Sequence, residues 1–146
     1  VEALKLLATR SGCHRVDRRQ YEPTVIAPRL SRRFVQEVLS RWGCDRLDAN
    51  VALLTAELVA DAIRQAPTSI ALHIELDGTT VRVEVVAAEP GLIADASSER
   101  FERHVARRLV EAVADDWGSG VDRGRTTTWF SMPAAGAARV PLARVG

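Results

Sequence analysis

Glu57, Asp61 and Gln65 stand four residues apart in the run VALLTAELVADAIRQA, residues 51–66. Val51, Leu54, Leu58 and Ala62 give that run a helical period, so the three polar groups share one helix face at i, i+4 and i+8. Two carboxylates one turn apart repel by ~0.2–0.5 kcal/mol. A hard cation such as Mg²⁺ takes carboxylate oxygens and would remove that repulsion. An anionic phosphate nearby would increase it unless the metal came too. Arg64 offers a second way to offset the charge. The competing reading is a solvated acidic face with no chemistry.

Other reactive groups are scattered. His14, His73 and His104 are isolated and lack metal-ligand spacing. There is no G-x-S-x-G element and no cysteine–histidine catalytic signature. Cys13 and Cys44 show no C-x-x-C pattern and read as reduced thiols of a cytoplasmic protein. The formal net charge is +1, so no global field recruits nucleic acid or membrane. Arg10, Arg15, Arg18 and Arg19 form a basic patch without interleaved aromatics, which suits solubility or a protein partner better than nucleic acid. Arg103, His104, Arg107 and Arg108 would attract an anion, but such a run is ordinarily a solvated helix face. No apolar run approaches the ~20 residues needed to span a bilayer, and no signal-peptide pattern is present. Lys5 is the sole lysine, and with abundant Ala and Val this suggests a GC-rich bacterial genome. The start at Val1 is compatible with a fragment of a larger sensor protein.

At 146 residues, 47% hydrophobic and 27% charged, the chain is sized for one domain around one core. Residues 1–8 suit a short helix and the basic run 14–21 an edge strand, where arginines keep other strands away. A first helix is expected over about 27–42, with Pro28 in its first turn and Gly43 ending it. Leu30, Phe34, Val38 and Leu39 form its apolar stripe, with Arg32, Arg33 and Glu37 outside. A second helix is expected over about 47–65, capped by Asp48 or Asn50 and stopped by Pro67. The period then changes to two: Ile70, Leu72, Ile74 and Leu76, the Asp77-Gly78 turn signal, then Val81, Val83 and Val85. A third helix is expected over about 97–114, and a last hairpin joins 117–121 to 126–132 through Asp122-Arg123-Gly124. Trp42, Trp117 and Trp129 read as packing residues. Hairpins with helices between them predict an α+β fold, a mostly antiparallel sheet with helices on one face.

Five segments in this order resemble the histidine-kinase-like ATPase fold, in particular the bacterial anti-sigma-factor serine kinases, over about residues 20–133. Arg33-Phe34-Val35 and Leu39 to Gly43 match the family's R-x-F-V-x-x-x-L-x-x-W-G helix. Glu57 to Gln65 match E-L-V-x-N-A-x-x-H. Val85 to Gly91 take the place of V-x-D-x-G-x-G. His104-Val105-Ala106 to Trp117-Gly118 take the place of G-x-G-L-x-L-V-x-x-L-A-x-x-W-G. Thr127, Trp129 and Phe130 resemble G-x-T-x-W-F. The resemblance implies a Bergerat-like two-layer α/β sandwich and an ATP site.

The departures fall on that site. The resemblance makes Glu57 the general base and puts a Mg²⁺-holding asparagine where this chain has Asp61; Gln65 takes the histidine position. Ala87 replaces the aspartate that accepts the adenine amino group, and its side chain has no acceptor. Losing a polar partner built for a substrate N–H removes affinity and selectivity together. Glu89 replaces a glycine that lets the backbone approach the nucleotide; Gly91 is kept. His104, Val105 and Ala106 replace the glycine segment whose amides cradle phosphate. Thr127 keeps its family position.

These readings predict a degenerate member, with no cofactor retained and Glu57 vestigial. The expected division is an N-terminal extension over 1–22, the ATPase-like domain over 23–133 and a tail over 134–146. The expected function is a regulatory module that binds a sigma factor or an anti-sigma antagonist, without membrane or direct nucleic-acid contact. Arg32, Arg33, Glu99 and Arg103 are expected on its binding surface. The resemblance also admits a homodimer. The alternative is an active ATP-dependent serine kinase in which Glu57 is the base and Asp61 holds Mg²⁺ of Mg-ATP.

Overall fold

Strand alternation and helical stripes resolve into two layers. The computed structural model describes residues 13–65, 67–88 and 105–134. Strand β1 is Cys13–Tyr21, followed by helix α1, Ala27–Arg41, a 3₁₀ turn, Asp45–Leu47, and helix α2, Asp48–Ile63. Strands β2, Ser69–Gly78, and β3, Thr80–Ala88, form a hairpin. Helix α3, Val105–Val113, leads to the hairpin of β4, Asp116–Asp122, and β5, Arg125–Pro133. The expected N-terminal helix, the first part of the third helix and residues 135–146 of the tail lie outside the described residues.

All five strands form one antiparallel sheet in the order β1-β2-β3-β5-β4. The α+β class, with a five-stranded antiparallel sheet and helices on one face, is as expected. β1 pairs with β2 along its whole length, Cys13 opposite Gly78 and Tyr21 opposite Ile70. The basic run is therefore an edge of the same sheet.

Period-two alternation places the core. Ile70, Leu72, Ile74 and Leu76 of β2, Val81, Val83, Val85 and Ala87 of β3, and Phe130 and Met132 of β5 are buried on one face. α1 and α2 supply the second layer through Phe34, Val35, Val38, Leu39, Val51, Leu54, Leu58 and Val59. Burial of this apolar surface is the main stabilising term, at ~25 cal/mol per Å². The two hairpin loops follow their residues. Gly78 has φ 64° at the first of two loop positions, the glycine-first pattern of a type II′ turn. Arg123 and Gly124 both have positive φ, 52° and 76°, as a type I′ turn requires.

α1 ends in a Schellman motif: Gly43, at φ 75°, donates its N–H to the Ser40 carbonyl, and the Cys44 N–H reaches the Leu39 carbonyl. Two details depart from the sequence reading. Leu30 is 39% exposed; the buried stripe of α1 runs through Ala27, Ser31, Phe34, Val35 and Val38 and passes Leu30 by. α2 has Leu47 as its N-cap and no side-chain capping bond, because the preceding 3₁₀ turn feeds directly into the helix.

The edge strands carry local protection. On β1 the Asp17 carboxylate accepts the Arg18 amide N–H at 2.8 Å and the Arg41 guanidinium of α1 at 2.8 Å. Arg19 lies over the Phe34 ring, 4.5 Å from its centroid, and fastens the same strand to α1. On β4 the Asp116 carboxylate accepts the Trp117 amide N–H at 2.9 Å.

Candidate functional site

α2 packs against α1, the sheet and α3, so Thr55 and Asp61 are not on its open face. Asp61 is 4% exposed. This overturns the solvated acidic face: the helix is buried on more than the one stripe that its strongest apolar residues mark, since Ala52, Val59 and Ala62 are buried as well. Glu57 is half-buried. Gln65 is half-buried too, yet its Oε1 is enclosed with no hydrogen-bond partner among the described residues. Thr55, one turn before Val59 on the same helix, is fully buried with its hydroxyl likewise unpartnered. Nothing in the sequence pattern marked Thr55, because threonine reads as neutral in a helix.

Arg64 Nη1 approaches Asp61 Oδ1 at 3.4 Å, one helical turn away, while the arginine itself is 59% exposed. A buried carboxylate needs a compensating charge or hydrogen bonds, and this guanidinium supplies part of both. It is the offset that the sequence suggested for the Glu57–Asp61 pair.

The sheet side of the site is set by register. Ala87 is 2% exposed on the inner face of β3, against which α2 packs, and stands opposite Thr126 of β5. Its methyl group presents no acceptor. Thr126 is 5% exposed on the same inner face. Thr127 instead pairs with Val86 on the outer face of the sheet, beside Arg82 and Trp129. The expectation that Thr127 shares a pocket with Glu57 and Asp61 is therefore corrected: Thr126 and Thr128 point toward the helices, and Thr127 points away. Counting back by two from the apolar Phe130 would have found this, because side chains alternate strictly along a strand. Glu89, Gly91, His104, Glu99 and Arg103 lie outside the described residues. Ala106 belongs to α3, but its side chain lies outside them as well.

The outer face of the sheet is polar and carries its own charge pattern. His14 Nε2 meets Glu75 Oε2 at 2.6 Å, and this bond holds the His14 ring above its ordinary pKa of 6.5. Glu84 lies between His73, at 3.7 Å, and Arg82, at 3.2 Å. Arg82 also stacks on Trp129, 4.1 Å from the ring centroid. Trp129 lies over Gly118, where a Cβ would fall 2.6 Å from the indole Nε1. Among the described residues no group of three or more His, Cys, Asp or Glu side chains could hold a metal ion. No helix among them is long and apolar enough to cross a membrane.

No protein-family model matches the chain, and no curated protein matches it. Among solved structures it is similar to the RsbU and RsbW domains of Rv1364c from Mycobacterium tuberculosis, at 21% sequence identity and a TM-score of 0.63. The match covers 80% of this chain and 32% of that one, so the chain spans about a third of its structural neighbour. At that identity the likeness establishes the fold, the one that the five sequence segments imply: an RsbW-like α+β sandwich.

Proposed function

We propose that this protein is a regulatory protein-binding module of the anti-sigma-factor type, acting on a sigma factor or its antagonist, with an ATP site that no longer holds nucleotide. The observation that carries the second half is Ala87. Its buried methyl faces Thr126 on the inner sheet face, at the position where the resemblance puts the adenine acceptor. An adenine amino group placed there would lose a water partner and find none in the side chain, a penalty of about 1–3 kcal/mol. Asp61 supports the same reading. It is buried and lies 3.4 Å from the Arg64 guanidinium, a cation already beside the oxygen that Mg²⁺ would need. The likeness to a structure containing an RsbW domain supports the regulatory half. On this reading the protein is cytoplasmic, its partner is a protein, and Glu57 is vestigial.

Titration calorimetry with ATP, with and without Mg²⁺, tests the proposal. The expected Kd lies above about 1 mM, less than about 4 kcal/mol of binding free energy. Ala87→Asp combined with Glu89→Gly is expected to tighten it. Glu57→Gln is expected to leave partner binding intact, since no proton has to be abstracted. Micromolar Mg-ATP binding by the unmodified chain, with activity lost in Glu57→Gln, would replace this proposal with an active serine kinase.

A further inference from the structure

The outer face of the sheet, away from the helices, carries a cavity of ≈ 380 Å³ lined by Arg18, Arg19, Gln20, Ala71 and His73. Register explains it. Arg18 of β1 stands opposite His73 of β2, and Gln20 stands opposite Ala71. Paired residues share a face, so three long polar side chains surround one methyl group. The Arg19 side chain lies on the inner face, over Phe34. The Arg18 N–H turns away from β2 to Asp17 Oδ1, at 2.8 Å. Arg18 and His73 are therefore a non-hydrogen-bonded pair, the kind whose Cα atoms approach to ~4.5 Å and whose side chains lie closest.

The acidic groups near this cavity are already matched or lie off it. Glu84 of β3, on the far side of His73, meets Arg82 at 3.2 Å and His73 Nδ1 at 3.7 Å. Glu75, two residues along β2, bonds to His14 at 2.6 Å. Asp77 stands farther along the same strand, opposite His14. Asp17 serves Arg41 on the inner face. Glu22, exposed just beyond β1, does not line the cavity. The exposed side chains of Arg18 and Gln20 have no hydrogen bond or ion pair among the described residues. Donors therefore outnumber acceptors here. Like charges directly opposite across two strands are unfavourable, so a protonated His73 beside Arg18 calls for an anion between them.

We infer that this cavity is a binding site for a small tetrahedral oxyanion of the phosphate class, free or as a monoester. Arg18 supplies a fork of N–H donors that suits phosphate oxygens. Gln20 supplies an amide N–H. His73, as imidazolium, donates one ring N–H to the anion and the other to Glu84. Three separate donors match the three free oxygens of a monoester, whereas a carboxylate has two oxygens in one plane. The site lies across the sheet from Glu57, Asp61 and Ala87, so it stands or falls separately from the reading of the ATP site.

The test is an NMR titration of the isotope-labelled full chain with inorganic phosphate and with methyl phosphate, at an ionic strength held constant with chloride. Both are expected to move the amide signals of Arg18, Gln20, Ala71 and His73 saturably, while acetate at equal concentration does not. A tighter fit for methyl phosphate assigns the site to a phosphate carried on a larger molecule, and a tighter fit for inorganic phosphate to the free ion; either supports the inference. Arg18→Gln is expected to weaken binding about tenfold or more, and His73→Leu by about threefold or more. Arg15→Gln makes the same change of net charge on the opposite face of β1 and is expected to leave binding unchanged. The same spectra report whether each variant keeps the fold. Shifts that do not saturate, binding of acetate as tight as phosphate, or equal weakening by Arg15→Gln and Arg18→Gln overturns the inference.

Discussion

Replacing Thr55 by valine should stabilise this protein, the reverse of what removing a buried hydroxyl usually does. Thr55 is fully buried in α2 and its Oγ1 has no hydrogen-bond partner among the described residues. A hydroxyl enclosed that way loses its water and gains nothing, at a cost of about 1–3 kcal/mol from mutational data. Valine has nearly the same shape and almost the same helix propensity, and its methyl adds apolar burial worth up to ~0.8 kcal/mol. A net gain of about 1–2 kcal/mol follows, and each kcal/mol raises Tm by about 2–4 °C in a domain near 150 residues. Ser31 is the matched control. It is also fully buried in a helix, but its Oγ donates to the Pro28 carbonyl at 2.8 Å. Ser31→Ala should therefore cost about 0.5–1 kcal/mol once alanine's better propensity is counted. Thermal and urea unfolding of the two variants and the parent measure the difference. A Tm for Thr55→Val at or below the parent would refute the reasoning and mean that the hydroxyl is bonded, most simply to the carbonyl of Val51 one turn back.

Gly118→Ala should push the Trp129 ring off the outer face, since the new Cβ falls 2.6 Å from Nε1; the expected loss is about 1–2 kcal/mol, with red-shifted tryptophan emission, and unchanged emission would contradict it. Arg123 holds φ 52° in a two-residue turn, so Arg123→Asn should gain about 0.5–1 kcal/mol in a melt. Asp17 is held below its ordinary pKa of 3.8, first by the Arg41 hydrogen bond. Its contribution is therefore complete above 3.8 and lost as pH falls through the lowered folded value, and Arg41→Ala should flatten the acid limb of stability against pH. His14 has the opposite sign: raised by its bond to Glu75, it contributes fully below 6.5 and loses that contribution as pH rises through the raised value, so Glu75→Gln should flatten the neutral range.

Elements defined by strict spacing were legible from the sequence. Alternation in 70–76 and 81–85, the turn glycines, Pro28 and Gly43 each reflect a local constraint that tertiary packing cannot easily override. What escaped depends on neighbours distant in sequence. Leu30 fits the helical period, but α1 is buried along Ala27, Ser31 and Phe34, and only the docked structure decides between two adjacent stripes. Asp61 belongs to a polar face in isolation and becomes buried because α2 is covered on several sides. Thr127 was assigned by motif position, whereas the alternation fixed by Phe130 assigns the inner face to Thr126.

The two aspartates at the sheet margins have a bearing on how copies of this protein can meet. An antiparallel sheet that ends in bare amides is an invitation to grow, one molecule after another, with no geometric reason to stop. Here each outermost strand spends a carboxylate on one of its own amides, Asp17 for Arg18 and Asp116 for Trp117. A strand arriving at either margin would have to displace an ionised acceptor, and at β1 would also break its link to Arg41. Growth by strand addition is thereby discouraged at both ends. Stable self-association, if a cell requires it, is left to surfaces other than these two strand edges.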